Sequence, residues 1–356
     1  MKAVVVRRGE TEPTVVEVDE PTPEPGQALL RTLRVGIDGT DHEVIEGNHG
    51  WFPENDDHQV LGHEAVAVVA DANDTDLDEG QLVVPTVRRP REEGNEFFER
   101  GEPDMAPEGE YVERGIVGAH GYMAEFFTSS LRYLVTVPDA FAESGFLVEP
   151  ISNTEKALEH AHATRSAFEW TPETALVLGN GPLGLLTLAM LEGEQTDFSR
   201  TYCLGRRDRP DPTIDIIERL GATYIDSRET PMAAIPAAHE PMDFVYEATG
   251  YAKHAVETVH ALRSNGVGAL LGIPEDWTFA IDGGALHREL VLQNKVLFGS
   301  VNSNVNHYEA AIDSLAAFPD WLVDDLITGI YEPTAAPAAF ETSDETIKTV
   351  VEFDTV

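Results

Sequence analysis

The sequence predicts an α/β chain of two domains, a β-rich antiparallel unit followed by a doubly wound parallel sheet. Three observations carry that expectation. The first 150 residues hold short β-type runs cut by Gly, Pro and Asp. After Pro150 the apolar spacing changes to that of a helix. From Thr174 to about Val301, buried strands alternate with helical stretches, the pattern of a parallel sheet covered on both faces. The expected division is one domain over 1–155 and 302–356, with the last fifty residues folding back, and a second over 156–301.

In the first domain the strands are "KAVVV", "TVVEV", "ALLRTLRVG", "EAVAVVA" and "QLVVPTV", which together suggest a barrel-like sheet. The polar segment from Arg88 to Gly115 is too long for a plain connection and reads as a lobe or lid. "ISNTEKALEHAHATRSA" reads as a helix capped at Ser152 or Asn153, with Glu155 following. The strands of the second domain are "ALVLG", "TYCLG", "ATYID", "DFVYEATG", "GVGALLGI" and "VLFGSVN". The sheet edge near Leu292 to Ser300 is a candidate contact between copies of the chain.

Composition narrows the function. With 64 Asp and Glu against 24 Lys and Arg in 356 residues, the formal charge of −40 repels nucleic acid and anionic lipid. The acid is spread along the whole chain and lysine occurs only at 2, 156, 253, 295 and 348. That composition suits a cytoplasmic protein of a salt-in halophile, where about 1 M salt shortens the screening length to roughly 3 Å. Cys203 is a lone thiol and excludes a Cys-cluster metal site. "MKAVVVRRGE" is too short and too soon charged for a secretory signal, and the longest apolar run, Ala175 to Leu191, is broken by three glycines and a proline.

"ALVLGNGPLGLLTLAM" sets Gly179, Gly181 and Gly184 in G-x-G-x-x-G between a buried strand and an apolar helix, with Asn180, Pro182 and Leu183 filling the turn. Such a turn brings backbone N–H groups at a helix N-terminus against a pyrophosphate. The next strand, "TYCLG", ends in Arg206 and Arg207, where two guanidiniums suit a 2′-phosphate and Gly205 leaves room for it. NADP is therefore expected over NAD, with Asp208 leaving dual use open.

The third feature is one imidazole among carboxylates. His63 and Glu64 head the apolar strand of "VLGHEAVAVV", Asp38 precedes them in "GIDGTDHEVIEG", and Glu149 follows in "FLVEPI". Zinc accepts N and O donors, and a harder ion would accept an oxygen-rich set equally well. The segments "GIDGTDHEVIEG", "LGHEAVAVV", "GYMAEFF", "LVEPISNTEKALEHA", "VLGNGPLG" and "YEATG" together resemble the zinc-dependent medium-chain dehydrogenase/reductase superfamily across essentially the whole chain. "DGTDHEVIEG" and the Arg-Arg strand more closely resemble the glucose dehydrogenases of halophilic archaea within it.

That resemblance implies a GroES-like catalytic domain, a Rossmann domain and one catalytic zinc held by Asp38, His63 and Glu149, with Glu64 in or beside the ligand shell. The superfamily's usual residue at Asp38 is Cys, so a ligand swap is expected. The resemblance further implies an aldose 1-dehydrogenase that oxidises the anomeric C1 hydroxyl of glucose to the lactone. Thr40 would lie by the reacting oxygen, with Asp41 and His42 passing the proton outward. Glu113, Glu149, Asn153 and Asn302 are candidates for sugar hydroxyls, His287 a weaker one. Ser300 and Asn302 are expected near the nicotinamide. A polyol or alcohol dehydrogenase with the same machinery, and a zinc-free enone reductase of the same fold, are the rival readings.

Overall fold

The computed structural model describes residues 1–193 and 196–356. Of its first eleven strands, β1 Lys2–Arg7, β2 Thr14–Glu17, β3 Gln27–Ile37, β5 Glu64–Asp71 and β6 Leu82–Pro85 follow the five expected runs, and β4 His58–Val60, β7 Arg88–Pro90, β8 Tyr111–Arg114, β9 Gly118–Ala119, β10 Phe126–Ser130 and β11 Leu134–Thr136 add to them. The alternate strands β12 Thr174–Leu178, β13 Arg200–Gly205, β14 Thr223–Asp226, β15 Met242–Glu247, β16 Leu262–Leu270 and β17 Val296–Gly299 come next, and β18 Ile327–Tyr331 and β19 Lys348–Glu352 close the chain.

The chain divides into two compact units, Met1–Ser152 with Asn302–Ala316 and Val323–Val356, and Asn153–Val301 with Ala317–Leu322. The short segment Ala317–Leu322 thus goes with the second unit, against the expectation that everything after 302 joins the first. Trp321 explains it, because its ring lies 3.9 Å beneath the guanidinium of Arg219 on the helix Pro212–Leu220.

In the first unit β3 is the hub. It pairs antiparallel with β5, β10 and β19, and the sheet runs β11-β6-β5-β3-β19-β18. Only an eleven-residue strand buried along its second half can serve three neighbours, and Leu33, Val35 and Ile37 are all buried. A second sheet, β2-β1-β4, closes over the core of Val4, Leu30, Leu61 and Met123. The segment expected as a lobe is ordered around a small sheet, β7-β8-β9.

The second unit is a six-stranded sheet in the order β14-β13-β12-β15-β16-β17 with every neighbour parallel. The order reverses between β12 and β15, the place where a doubly wound sheet opens a crevice for a ligand. No helix among the described residues is long and apolar enough to cross a membrane.

The expected cap at Ser152 or Asn153 is not one. The helix runs Val148–Arg165, continuing a 3-10 turn at Gly145–Leu147, so both residues lie inside it. Pro150 does not end it there, because the first turn lacks intrahelical partners for its N–H groups anyway. Ser152 instead donates back to the carbonyl of Glu149 at 2.5 Å.

Candidate active site

The helix Gly39–Glu46 starts directly after β3 and brings Asp38 to its N-cap. Asp38 uses its two oxygens differently. Oδ1 accepts from the N–H of Asp41 at 3.1 Å, while Oδ2 faces His63 Nε2 at 3.6 Å. Asp41 closes a capping box by accepting from the Asp38 N–H at 3.1 Å, and its other oxygen accepts from the Gly62 N–H at 3.1 Å. The same oxygen stands 3.8 Å from His63 Nδ1. Asp41 is wholly buried on the Nδ1 side of the imidazole.

His63 ends the turn into β5 and Glu64 opens that strand, both buried. The donor atoms of Asp38, His63 and Glu64 lie within 4.8 Å of one another, and among the described residues they form the one such group. Glu149, buried at the start of its helix, is outside that group. Behind Glu64 sits a residue the motifs did not flag: Lys348, first in β19 and 1 % exposed, whose Nζ contacts the Glu64 carboxylate. Gly36 lies opposite Glu64 across β3 and β5, and a side chain there would collide with Glu64, Phe146 and Lys348. The signal for Lys348 was present in the sequence, since a lysine among so few stands at the head of the apolar run "KTVVEF".

Burial works against every charge in this cluster. At Asp38 the His63 imidazole and Lys348 ammonium outweigh it and hold the carboxyl well below the usual range. At His63 the carboxylates of Asp38 and Asp41 outweigh it and hold the imidazole well above its usual value. Burial prevails at Glu64 and raises its carboxyl, although Lys348 pulls the other way. A divalent cation fits these residues. His63 Nε2 faces the Asp38 carboxylate across a gap of 3.6 Å, and the imidazole and two carboxylates are N and O donors of the kind zinc accepts, with a place left for a substrate oxygen.

Of the other candidates, Thr40 is half-buried in the first turn of the same helix, and the His42 ring packs edge-on against Phe340 at 5.8 Å. Glu113 is buried with Oε1 held at 2.8 Å by Arg88. Asn302 has φ +57° and accepts from the Ser303 N–H at 2.9 Å. Asn153 lies in the second turn of its helix, and His287 is an exposed residue of the helix Gly283–Leu292.

In the second unit the glycine turn joins β12 to the helix Pro182–Leu191. Gly179 has φ +111°. A side chain at Gly184 would run into the Gly179 carbonyl, whereas one at Gly181 would point into open space. Gly181 is the N-cap with no side-chain bond at the helix start, and Pro182 is the first helical residue, so the N–H groups of this terminus remain for an anion. The Ser300 hydroxyl is buried without a partner, a second polar atom open to a cofactor.

Gly205 does not leave room, as expected, for a 2′-phosphate. The space of its missing side chain is taken by the Asn180 amide, tied to Thr213 at 2.6 Å, and by the Tyr224 ring. Arg206 is exposed beyond it, and Arg207 lies 3.9 Å from Asp211. Asp208 is engaged by Arg228 at 2.7 Å, and Arg228 also holds Asp226. The acid nearest this strand end is thereby neutralised.

Residues 142–353 match the family model of the glucose dehydrogenase C-terminus, and residues 24–139 that of the alcohol dehydrogenase GroES-like domain. The chain belongs to the glucose dehydrogenase family. It is 64 % identical over 357 residues to the glucose 1-dehydrogenase of Haloferax mediterranei and 60 % identical over 357 residues to that of Haloarcula marismortui, covering 100 % of both chains in each case. The solved glucose dehydrogenase of Haloferax mediterranei in complex with NADP, Zn and gluconolactone is 63 % identical, with a TM-score of 0.98 over 100 % of both chains. Its D38C mutant has also been solved and matches with a TM-score of 0.97. Within the glucose dehydrogenase family, then, this chain presents an aspartate that is at once a candidate ligand and a helix cap. A thiol accepts hydrogen bonds weakly and has one heavy atom for both tasks.

Proposed function

We propose that the chain is an NADP-preferring, zinc-dependent glucose 1-dehydrogenase that oxidises the anomeric C1 hydroxyl to the lactone. The observation that carries the reading is the full-length 64 % identity to a glucose 1-dehydrogenase, in a chain whose Asp38, His63 and Glu64 donors converge. Bound zinc would supply Lewis acidity toward the C1 hydroxyl, and bound NADP a hydride acceptor.

The chain's own residues do the rest. Asp38, His63 and Glu64 hold the metal, with Glu149 as a further ligand. Asp41 fixes the His63 ring, and Lys348 sets the position of Glu64. Thr40 receives the hydroxyl proton and His42 passes it outward. Glu113, Glu149, Asn153 and Asn302 bond sugar hydroxyls, Glu113 with the oxygen that Arg88 does not hold. Unpaired polar groups left by a wrong epimer would set the selectivity. The turn Gly179–Gly184, with Asn180, Pro182 and Leu183, takes the pyrophosphate. Arg206 and Arg207 take the 2′-phosphate, and Ser300 and Asn302 flank the nicotinamide.

A homo-oligomer belongs to the same reading. β17 is an edge strand, and Val291, Leu292 and Val301 beside it are exposed, Leu292 at 73 %. A cytoplasmic location is supported by the acidic composition and the lone cysteine. The test is NADP reduction with glucose at multimolar salt, before and after chelation and again with zinc restored. Activity lost to chelator and recovered with zinc is expected. Chelator-insensitive turnover would overturn the metal assignment and favour a zinc-free reductase.

A further inference from the structure

The first unit holds a cavity of about 340 Å³ lined by Arg89, Arg114, Arg132, Tyr133, Thr128 and Ser130, together with Gln27 at the opposite end of β3 from Asp38. Three guanidiniums converge there in a chain with 64 acidic residues. Many other arginines take carboxylates: Arg7, Arg31 and Arg88 each hold one, and Arg34 and Arg100 each hold two. Among the described residues, Arg89, Arg114 and Arg132 have no carboxylate within 4.0 Å.

Their donors are placed rather than loose. Arg89 bonds only neutral oxygens, the Thr86 carbonyl at 2.8 Å, the Tyr122 hydroxyl at 3.0 Å and the Ser129 hydroxyl at 3.3 Å, and its guanidinium lies 4.1 Å over the Tyr133 ring. Arg132 reaches the same ring from outside at 5.6 Å. Arg114 stacks 5.0 Å over Tyr122, and its Nε is buried with no hydrogen-bond partner. Leaving a charged donor buried and unpaired is costly, and planar guanidinium forks match the paired oxygens of a carboxylate or phosphate. The cavity lies at the lower end of ligand-pocket volumes, larger than a bare inorganic ion needs.

We propose that this pocket is a second, non-catalytic site for a small organic oxyanion, the phosphate or carboxylate group of a polyhydroxylated metabolite. Arg114 and Arg132 grip the anionic group, and the hydroxyls of Thr128 and Ser130 meet the ligand's polar remainder. At about 1 M salt the screening length is only ~3 Å, so contact with the forks decides binding and the chain's net charge does not oppose it. The site stands on residues that the proposed catalytic chemistry does not use.

The test titrates full-length protein with inorganic phosphate and, separately, with D-gluconate, replacing potassium chloride at constant ionic strength and reading heat of binding. Wild type, R114Q, R132Q and R206Q are compared. Saturable binding is expected in wild type and R206Q, with the dissociation constant raised about tenfold or more in R114Q, the loss typical of a charged donor. R132Q, altered at an exposed residue on the pocket rim, should weaken binding without disturbing the fold. The better of the two probes tells phosphate from carboxylate chemistry. Absence of saturable binding against chloride, or binding that survives both R114Q and R132Q, overturns the proposal. Binding lost in R206Q alone also overturns it, since the anion then belongs to the cofactor turn.

Discussion

The glycine turn of the second unit and the metal cluster of the first both prepare a place for charge, and they do it with opposite materials. The turn uses backbone: three glycines, a proline and a helix terminus whose N–H groups carry a partial positive charge without any ionisable side chain. The cluster uses buried ions, with Asp38, Asp41, Glu64, His63 and Lys348 drawn from three separate stretches of chain. A backbone site survives most single substitutions outside its glycines. An ionic site is only as sound as its charge balance, so removing one member exposes the rest.

Lys348 is the largest test of that contrast. Replacing it with Met leaves the Glu64 carboxylate buried without its partner, and breaking a buried pair from one side costs about 3–5 kcal/mol. K348M should therefore melt well below wild type in chelator, and the double variant K348M/E64Q should recover most of the loss. If K348M and wild type melt alike, Lys348 is not the counter-charge of the cluster. A comparable change on the backbone side is milder. R206Q, at an exposed residue with no ion pair among the described residues, should leave the fold untouched and raise the KM for NADP about tenfold or more, while the KM for NAD stays level, the outcome expected when a charged donor to the 2′-phosphate is lost.

The contrast also explains what could be read in the sequence. The strands, their alternation and the glycine turn are local patterns, and each stood where the spacing put it. The helix Val148–Arg165 was legible too, but its start was not, because a preceding 3-10 turn extended it past Ser152. His63 and Glu64 were visible as polar residues heading an apolar strand. The role of Lys348 was not, since it depends on β19 pairing with β3, a contact between residues more than three hundred apart that no local pattern announces. Gly205 misled for a similar reason: the atoms that need its missing side chain belong to Asn180 and Tyr224.

Asp38 allows a finer cut, since its cap and its proposed ligand role rest on different oxygens. Both D38C and D38N give up the charge that His63 and Lys348 attract, so without metal both should melt below wild type. D38C also loses the cap bond but offers zinc a thiolate, whereas D38N keeps a good cap, so D38N should be about 1 kcal/mol more stable than D38C without metal and should lose zinc. Melting in chelator, paired with metal analysis after zinc loading, separates the two. Equal behaviour of D38C and D38N in both measurements would mean that the two jobs of Asp38 are not divided between its oxygens.

The smallest effect expected is a pH dependence at the edge of the ionic site. His120 Nδ1 accepts from the Val60 N–H at 3.2 Å, which leaves its proton on Nε2, facing Asp56 at 3.2 Å. Val60 ends β4, three residues before His63, so this bond steadies the approach to a proposed ligand. Burial holds the His120 imidazole below its usual range; Asp56 works the other way, while His58 and Arg114 add to the lowering. Protonating Nδ1 removes the acceptor that Val60 needs. The folded chain therefore takes up this proton less readily than the unfolded chain, and stability rises with pH wherever the unfolded state binds more protons. The contribution is fully present above the unfolded imidazole value of about 6.5 and is lost as pH falls through the lower folded value. Melting temperatures from pH 7.5 downward at constant salt should fall more gently in H120N than in wild type. Parallel curves would place the acid sensitivity of this region in other groups and leave the Val60 bond without consequence for stability.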